Sequence, residues 1–149
     1  MFQTILIAVD GSDISNHVIK CGLDLAACLH ASIVFAHITL PYTAMAMPWY
    51  PLPSGLIPTP DQHQALSLEA SKRVLAAATD LAKAHAVPAR GVSLAHDQPW
   101  RGILQIATQE NCALICMASH GRGGLSALLL GSETQKVLTH STLPVLVIR

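Results

Sequence analysis

The chain has 149 residues, 51% of them hydrophobic and only 12% charged, with a formal net charge of zero when its eight histidines are neutral. That composition excludes a disordered polymer, and the lack of any basic run removes the electrostatic footprint of a nucleic-acid binder. The length suits one domain, residues 1–149, able to bury about 70% of its unfolded surface without staples.

The opening "MFQTILIAVDGS" has no basic stretch followed by a long apolar core, so no signal peptide is expected. No apolar run approaches the roughly 20 residues that cross a bilayer. The expectation is a soluble, cytoplasmic protein with no membrane and no nucleic-acid partner. Within the opening, "TILIAV" (Thr4 to Val9) is continuous, apolar and β-branched, which predicts a strand buried on both faces. "DGSD" breaks it. Ile14, Val18, Cys21, Leu25 and Leu29 then recur at helical spacing and predict a helix from Ser12 or Asp13 to about Leu29. "ASIVFAHI" (Ala31 to Ile38) reads as a second buried strand.

From Leu40 to Gln62 the chain carries six of its nine prolines, both tyrosines and Trp49. Proline at this density forbids a long helix or an inner strand, so residues 40–62 are an insert within the domain. A loop that covers a ligand, a contact between copies and a mobile segment all fit its Tyr42, Trp49 and Tyr50. Helical spacing returns from about Gln62 to His85, with Leu66, Ala70, Val74, Ala77 and Leu81 on one face. "ARGVSLAH" alternates like an edge strand. "PWRGILQIATQE" puts Trp100, Ile103, Leu104 and Ala107 on one helical face, with Pro99 suited to the first turn. "CALICMA" (Cys112 to Ala118) is a fourth strand, a short helix runs from about Glu133 to His140, and "LPVLVIR" is a fifth strand.

Strands alternating with helices predict one open, parallel, five-stranded sheet with helices on both faces. Ligands of such α/β sheets sit beyond the carboxyl ends of the strands, where strand order reverses. The loops after strands one, two and four are therefore the candidate site. The cysteines, Cys21, Cys28, Cys112 and Cys116, fall in apolar runs and read as reduced core thiols, with no CxxC and no ligand set for a metal. The histidines show no HxxxH or HxH spacing. His37 reads as a satisfied, partly buried histidine, and His120 as a turn-stabilising or ligand-contacting one.

"MASHGRGGLSALLLGSETQ" (Met117 to Gln135) holds four glycines within eleven residues. It is not a P-loop, because no glycine–lysine pair occurs. It is not a dinucleotide fingerprint, because Ser126 replaces the third glycine and the stretch follows strand four. No GxSxG elbow offers a serine nucleophile, and no SGGxDS or HxGH motif supports an adenylate-forming enzyme. Gly121, Gly123 and Gly124 permit positive φ and a nest of N–H groups. Ser132 followed by Gln135 has capping-box spacing and would open a helix whose N-terminus favours an anion. Arg122 adds a cation. These residues fit a phosphate cradle and an ordinary turn alike.

The segments "ILIAVDGS", "SHGRGGL", "LLLGS" and "PVLVIR" occur in an order that resembles the universal stress protein family over essentially the whole chain. Its nucleotide-binding members carry Gly, two residues, Gly, nine residues, then Gly-Ser or Gly-Thr. Here the pattern runs Ala118, Gly121, Gly131, Ser132, with alanine in the first place. The resemblance implies a Rossmann-like fold of the adenine nucleotide alpha hydrolase kind. It also implies ATP or another adenine nucleotide, with or without Mg²⁺, and a homodimer joined through the C-terminal strand. By position, adenine and ribose contacts fall on Ala8, Val9, Asp10 and Ile38. Phosphate contacts fall on Ala118, Gly121, Arg122, Gly124, Gly131, Ser132 and the Glu133 N–H. Asp10 can hold a ribose or cap the first helix. Ala118 is tolerable if its φ is negative. The Glu133 carboxylate must either point away from the phosphates or hold Mg²⁺. No catalytic residues are assigned: the expected role is a nucleotide-dependent stress-response switch with at most slow hydrolysis. The alternative is a family member without nucleotide that acts as a dimeric interaction module with unknown protein partners.

Overall fold

The computed structural model of the chain describes residues 2–45, 58–119 and 130–149, without the side chains of Ile14, Ala44 and Met45. Ten elements follow in chain order: β1 (Thr4–Ala8), α1 (Asp13–Leu29), β2 (Ser32–Thr39), α2 (Tyr42–Met45), α3 (Pro60–Ala84), β3 (Ala89–Ala95), α4 (Pro99–Gln109), β4 (Leu114–Ala118), α5 (Ser132–His140) and β5 (Val145–Ile148). The five strands form one sheet in the order β3-β2-β1-β4-β5, with every pair parallel. This is the expected architecture. The chain leaves β1 toward β2 and β3 on one side, then comes back to add β4 and β5 on the other. The reversal therefore falls between β1 and β4.

Two cores flank the sheet. Ile5, Ile7, Ile33, Phe35 and Cys116 pack under Val18, Ile19, Leu23 and Ala26 of α1 and Ala78 and Ala82 of α3. Leu6, Val34, Ala36, Ile115 and Met117 pack under Ile103, Ile106 and Ala107 of α4 and Val137 of α5. Alternate residues of each inner strand serve opposite cores, which is why these strands read as unbroken apolar runs rather than alternating ones.

The helical faces of α1 and α3 differ from expectation. In α1 the buried set is Ser15, Val18, Ile19, Gly22, Leu23 and Ala26, while Cys21 and Leu25 are half-buried and Cys28 and Leu29 exposed. In α3 the buried residues are His63, Ser71, Ala78 and Ala82, whereas Leu66 is 64% exposed. The reason is close packing over strands. A Cβ on Gly91 of β3 would come within 2.9 Å of the Leu75 Cβ, so α3 lies directly on β3 with its smaller side chains inward. Buried Ser71 is satisfied there by His37 Nδ1 and Ser93 Oγ, each at 3.0 Å. His37, expected from sequence to be satisfied and partly buried, is satisfied and buried. The start of α3 lies inside the proline-rich insert. Thr59 and Gln62 form a capping box around Pro60, a signal that periodicity alone passes over.

Candidate functional site

Ala8 ends β1, and Val9 and Asp10 follow it at the edge of the reversal between β1 and β4. The Val9 N–H donates to the Ala36 carbonyl at 2.9 Å, extending the β1–β2 ladder to the last apolar residue. Gly11 then takes φ 78°, a left-handed turn that glycine adopts without steric cost. Asp10 Oδ1 accepts from the Ser12 hydroxyl at 2.6 Å and from the Ser12 N–H at 3.0 Å. Ser12, not Asp10, is the N-cap of α1, and its hydroxyl oxygen accepts from the Ser15 N–H. Asp10 thus orients the cap, its carboxylate bonded to the residue that opens α1.

Ile38 lies on β2, two residues beyond Ala36, the ladder partner of Ala8. Ala8 and Ile38 both pack against the α4/α5 core, so they share one face of the sheet. Val9 belongs to the opposite core. The apolar wall expected from Ala8 and Ile38 has its two members on one surface, with Val9 behind it.

Ala118 is the last residue of β4 and pairs with Ile148 of β5. It is absent from the described residues with positive φ. Alanine in place of the motif's first glycine therefore sits in ordinary strand backbone, where a Cβ costs no strain. The segment that leaves β4 is tied back to its own start. The Gly131 N–H donates to the Ser119 carbonyl at 2.7 Å, and the Thr134 hydroxyl donates to the Ala118 carbonyl at 2.9 Å. Thr134 is buried, and nothing in the sequence singled it out. Together the two bonds anchor the first turn of α5 on the end of β4.

The capping box expected at Ser132 is not formed. Gly131 is the N-cap, without a side-chain cap bond, and Ser132 is the first helical residue. Gln135 turns instead to the Leu130 carbonyl, its Nε2 donating at 3.2 Å. The helix starts one residue earlier than expected because the Gly131 carbonyl accepts the first helical bond, from the Gln135 N–H at 3.0 Å. Amide hydrogens in the first turn of a helix lack intrahelical acceptors, and the macrodipole places partial positive charge there.

The Glu133 carboxylate has two partners. Oε2 accepts from the Trp100 N–H in the first turn of α4 at 2.8 Å, and Oε1 pairs with Lys136 at 2.8 Å. The acid is engaged between two helices. Gly121, Arg122, Gly124 and His120 lie outside the described residues, as do Trp49 and Tyr50. Tyr42 is described, its ring 5.7 Å from that of His63.

A cleft of about 420 Å³ opens at the ends of β2 and β3, lined by Tyr42, His63, Ser67, Ser71 and Ser93 among others. No charged side chain and no sequence-predicted site residue is among its described lining. Cys112 and Cys116 are buried, as expected of core thiols. Burial first, with Glu110 adding to it, pushes the Cys112 thiol up to about 11 against a small pull from Arg90. Burial alone pushes Cys116 up to about 12. Such thiols are poor nucleophiles and poor metal ligands at neutral pH. Among the described residues no three or more His, Cys, Asp or Glu side chains could together hold a metal ion, and no helix is long and apolar enough to cross a membrane.

The model of the Universal stress protein family matches residues 1–149. A relative from Thermus aquaticus, the universal stress protein in QAH/OAS sulfhydrylase 3'region, is 33% identical over 151 residues that cover 100% of both chains. A universal stress protein solved in complex with cAMP is 22% identical, with TM-score 0.68 over 99% of this chain and 97% of that one. The universal stress protein from Archaeoglobus fulgidus in complex with dAMP is 18% identical, with TM-score 0.68 over 100% of both chains. With a reversal between β1 and β4, an acid fixed after β1, a helix N-terminus anchored to β4 and end-to-end agreement with these relatives, the chain belongs to the universal stress protein family.

Proposed function

We propose that this protein binds an adenine nucleotide, ATP foremost, between the carboxyl ends of β1 and β4. Asp10 receives the ribose hydroxyls, and Ala8 and Ile38 line the adenine. The first turn of α5 offers the Ser132 and Glu133 N–H groups to the phosphates, with Gly131 at the helix entry and Gly121, Arg122 and Gly124 completing the cradle. The observation that carries this reading is the double tie of α5 to β4, Gly131 to Ser119 and Thr134 to Ala118. It holds a helix N-terminus at the strand-order reversal, where ligands of open α/β sheets bind. The cAMP and dAMP complexes of proteins with this fold support an adenosine phosphate as the ligand class.

The protein acts as a cytoplasmic, nucleotide-dependent homodimeric switch in a stress response rather than as an efficient enzyme. Support for the dimer comes from β5, an edge strand of the sheet whose Leu146 is 40% exposed. An apolar edge of this kind favours pairing with a second copy. Support for a binder rather than an efficient enzyme is the engagement of Glu133, whose two carboxylate oxygens are taken up by the Trp100 N–H and Lys136.

The test is to denature the purified protein and assay the supernatant for released adenine nucleotide, then measure thermal shifts with Mg-ATP, AMP and GTP. At a hundredfold excess over Kd, a bound nucleotide adds about 2.7 kcal/mol, worth roughly 5–10 °C in a chain of this size. Adenine nucleotides should stabilise and GTP should not. No released nucleotide and no shift would overturn the reading and leave a dimeric interaction module.

A further inference from the structure

The cleft at the ends of β2 and β3 lies on the side of the sheet that the nucleotide reading leaves unused. Val92 and Leu94 of β3 pack into the core under α4 and α5, so the alternate residues Ser93 and Ala95 turn toward α3. Ala8 and Ile38 face the other way. Small residues on β3 create the space. The α3 helix touches Gly91 through Leu75, is hydrogen-bonded to Ser93 through Ser71 at 3.0 Å, and gives way to the cleft at Ala95. The volume of about 420 Å³ falls within the roughly 300–1,000 Å³ of small-molecule sites.

The walls hold a polar group that the fold leaves unsatisfied. His63 lines the cleft and is only 9% exposed. Its Nε2 has a long contact of 3.5 Å to the Ser67 hydroxyl, and its Nδ1 has no hydrogen-bond partner among the described residues. Buried ring nitrogens are ordinarily paired, so an orphan on a cavity wall marks where a partner belongs. Beside it the Tyr42 ring stands 5.7 Å away at 60°, so two aromatic rings meet at a corner. Leu40, Pro41 and Leu68 make the adjoining wall apolar. No charged side chain is among the described lining, so an ion entering the cleft would lose hydration without a counter-charge.

We propose that this cleft binds an uncharged aromatic molecule bearing hydrogen-bonding substituents. The ring packs against Tyr42 and Leu68, and a polar substituent pairs with His63 Nδ1 and the Ser67 hydroxyl. Binding is noncovalent and separate from the nucleotide site, because the two lie on opposite faces of the sheet.

The probe is para-hydroxybenzamide, a neutral ring with one donor and one amide, titrated into the full chain and followed by amide nitrogen–proton correlation NMR. The His63, Ser67 and Ser93 amides should shift saturably, with a Kd of about 1 mM, usual for a fragment of this size. Para-hydroxybenzoate and para-hydroxybenzylamine, the same ring with one negative or positive charge, should bind about tenfold more weakly or worse. His63→Phe keeps a ring but removes both nitrogens and should weaken the probe about fivefold or more. Ala95→Leu should fill the cleft and abolish the shifts. Leu66→Ala, exposed on α3 and outside the cleft, should change nothing. Well-dispersed spectra without probe establish that each variant is folded. Ala95 is exposed at the end of an edge strand, so its variant keeps the test open even if His63→Phe misfolds. Excess Mg-ATP should not displace the probe, which separates this site from the nucleotide reading. No saturable shift in wild type, equal affinity for the charged analogues, unchanged binding in a folded His63→Phe or Ala95→Leu, or displacement by Mg-ATP would overturn the site.

Discussion

The Glu133 carboxylate of α5 accepts from the Trp100 main-chain N–H in the first turn of α4 at 2.8 Å, so one helix caps another. Gln98, the N-cap of α4, makes no side-chain cap bond of its own. The cap is thus supplied from a residue 33 positions away. Glu133→Ala should lower stability by about 1 kcal/mol, the usual worth of a lost N-terminal cap. Glu133→Gln keeps an acceptor oxygen and should lose less. Nucleotide affinity should stay within about twofold, because the carboxylate faces α4. Urea unfolding with an unchanged m-value, together with calorimetric titration of nucleotide, checks both halves.

Gly131 has φ −58° and ψ 149°, a conformation open to any L-residue. Aspartate there is a favourable N-cap. Gly131→Asp should therefore fold at least as stably as wild type and keep its oligomeric state, while its carboxylate occupies the helix end proposed for phosphate. Nucleotide affinity should fall about tenfold or more, with Gly131→Ala showing the smaller effect of bulk without charge. Binding that survives Gly131→Asp would move the phosphates away from α5.

Gly91→Ala should destabilise by about 1–3 kcal/mol, because the added Cβ meets the Leu75 Cβ at 2.9 Å and α3 must lift from β3. The thermal midpoint of the variant measures this, and an unchanged midpoint would mean the helix yields freely.

The buried thiols set an alkaline limit. Cys112 and Cys116 have thiol values raised from 9.0 to about 11 and about 12 in the folded chain. Above about pH 9 the unfolded chain loses these protons while the folded chain keeps them. Stability is therefore intact below pH 9 and falls as pH rises toward 11 and 12. Cys116→Ala should flatten that decline in denaturant titrations run from pH 8 to 11. At pH 8, iodoacetamide should label Cys21 and Cys28 and spare Cys112 and Cys116 until the chain unfolds.

The sequence by itself determined the sheet. Unbroken β-branched runs such as Thr4 to Val9 are compatible only with strands covered on both faces, and their alternation with helical segments leaves a parallel, doubly covered sheet as the simplest arrangement. It also pointed to the loops after strands one, two and four, and the strand order puts the reversal between β1 and β4. Tertiary structure alone decided which faces of α1 and α3 turn inward. Close approach to strands favours small side chains such as Gly22, Ala78 and Ala82 over the larger residues that periodicity selects, and it left Cys21, Cys28 and Leu66 outside the core. Tertiary structure also tied the Gly131 N–H to Ser119 at the end of β4 and sent Glu133 to Trp100. A side chain's hydrogen-bond partner is chosen by what the fold brings within 3 Å, and neighbours distant in sequence leave no mark on local spacing.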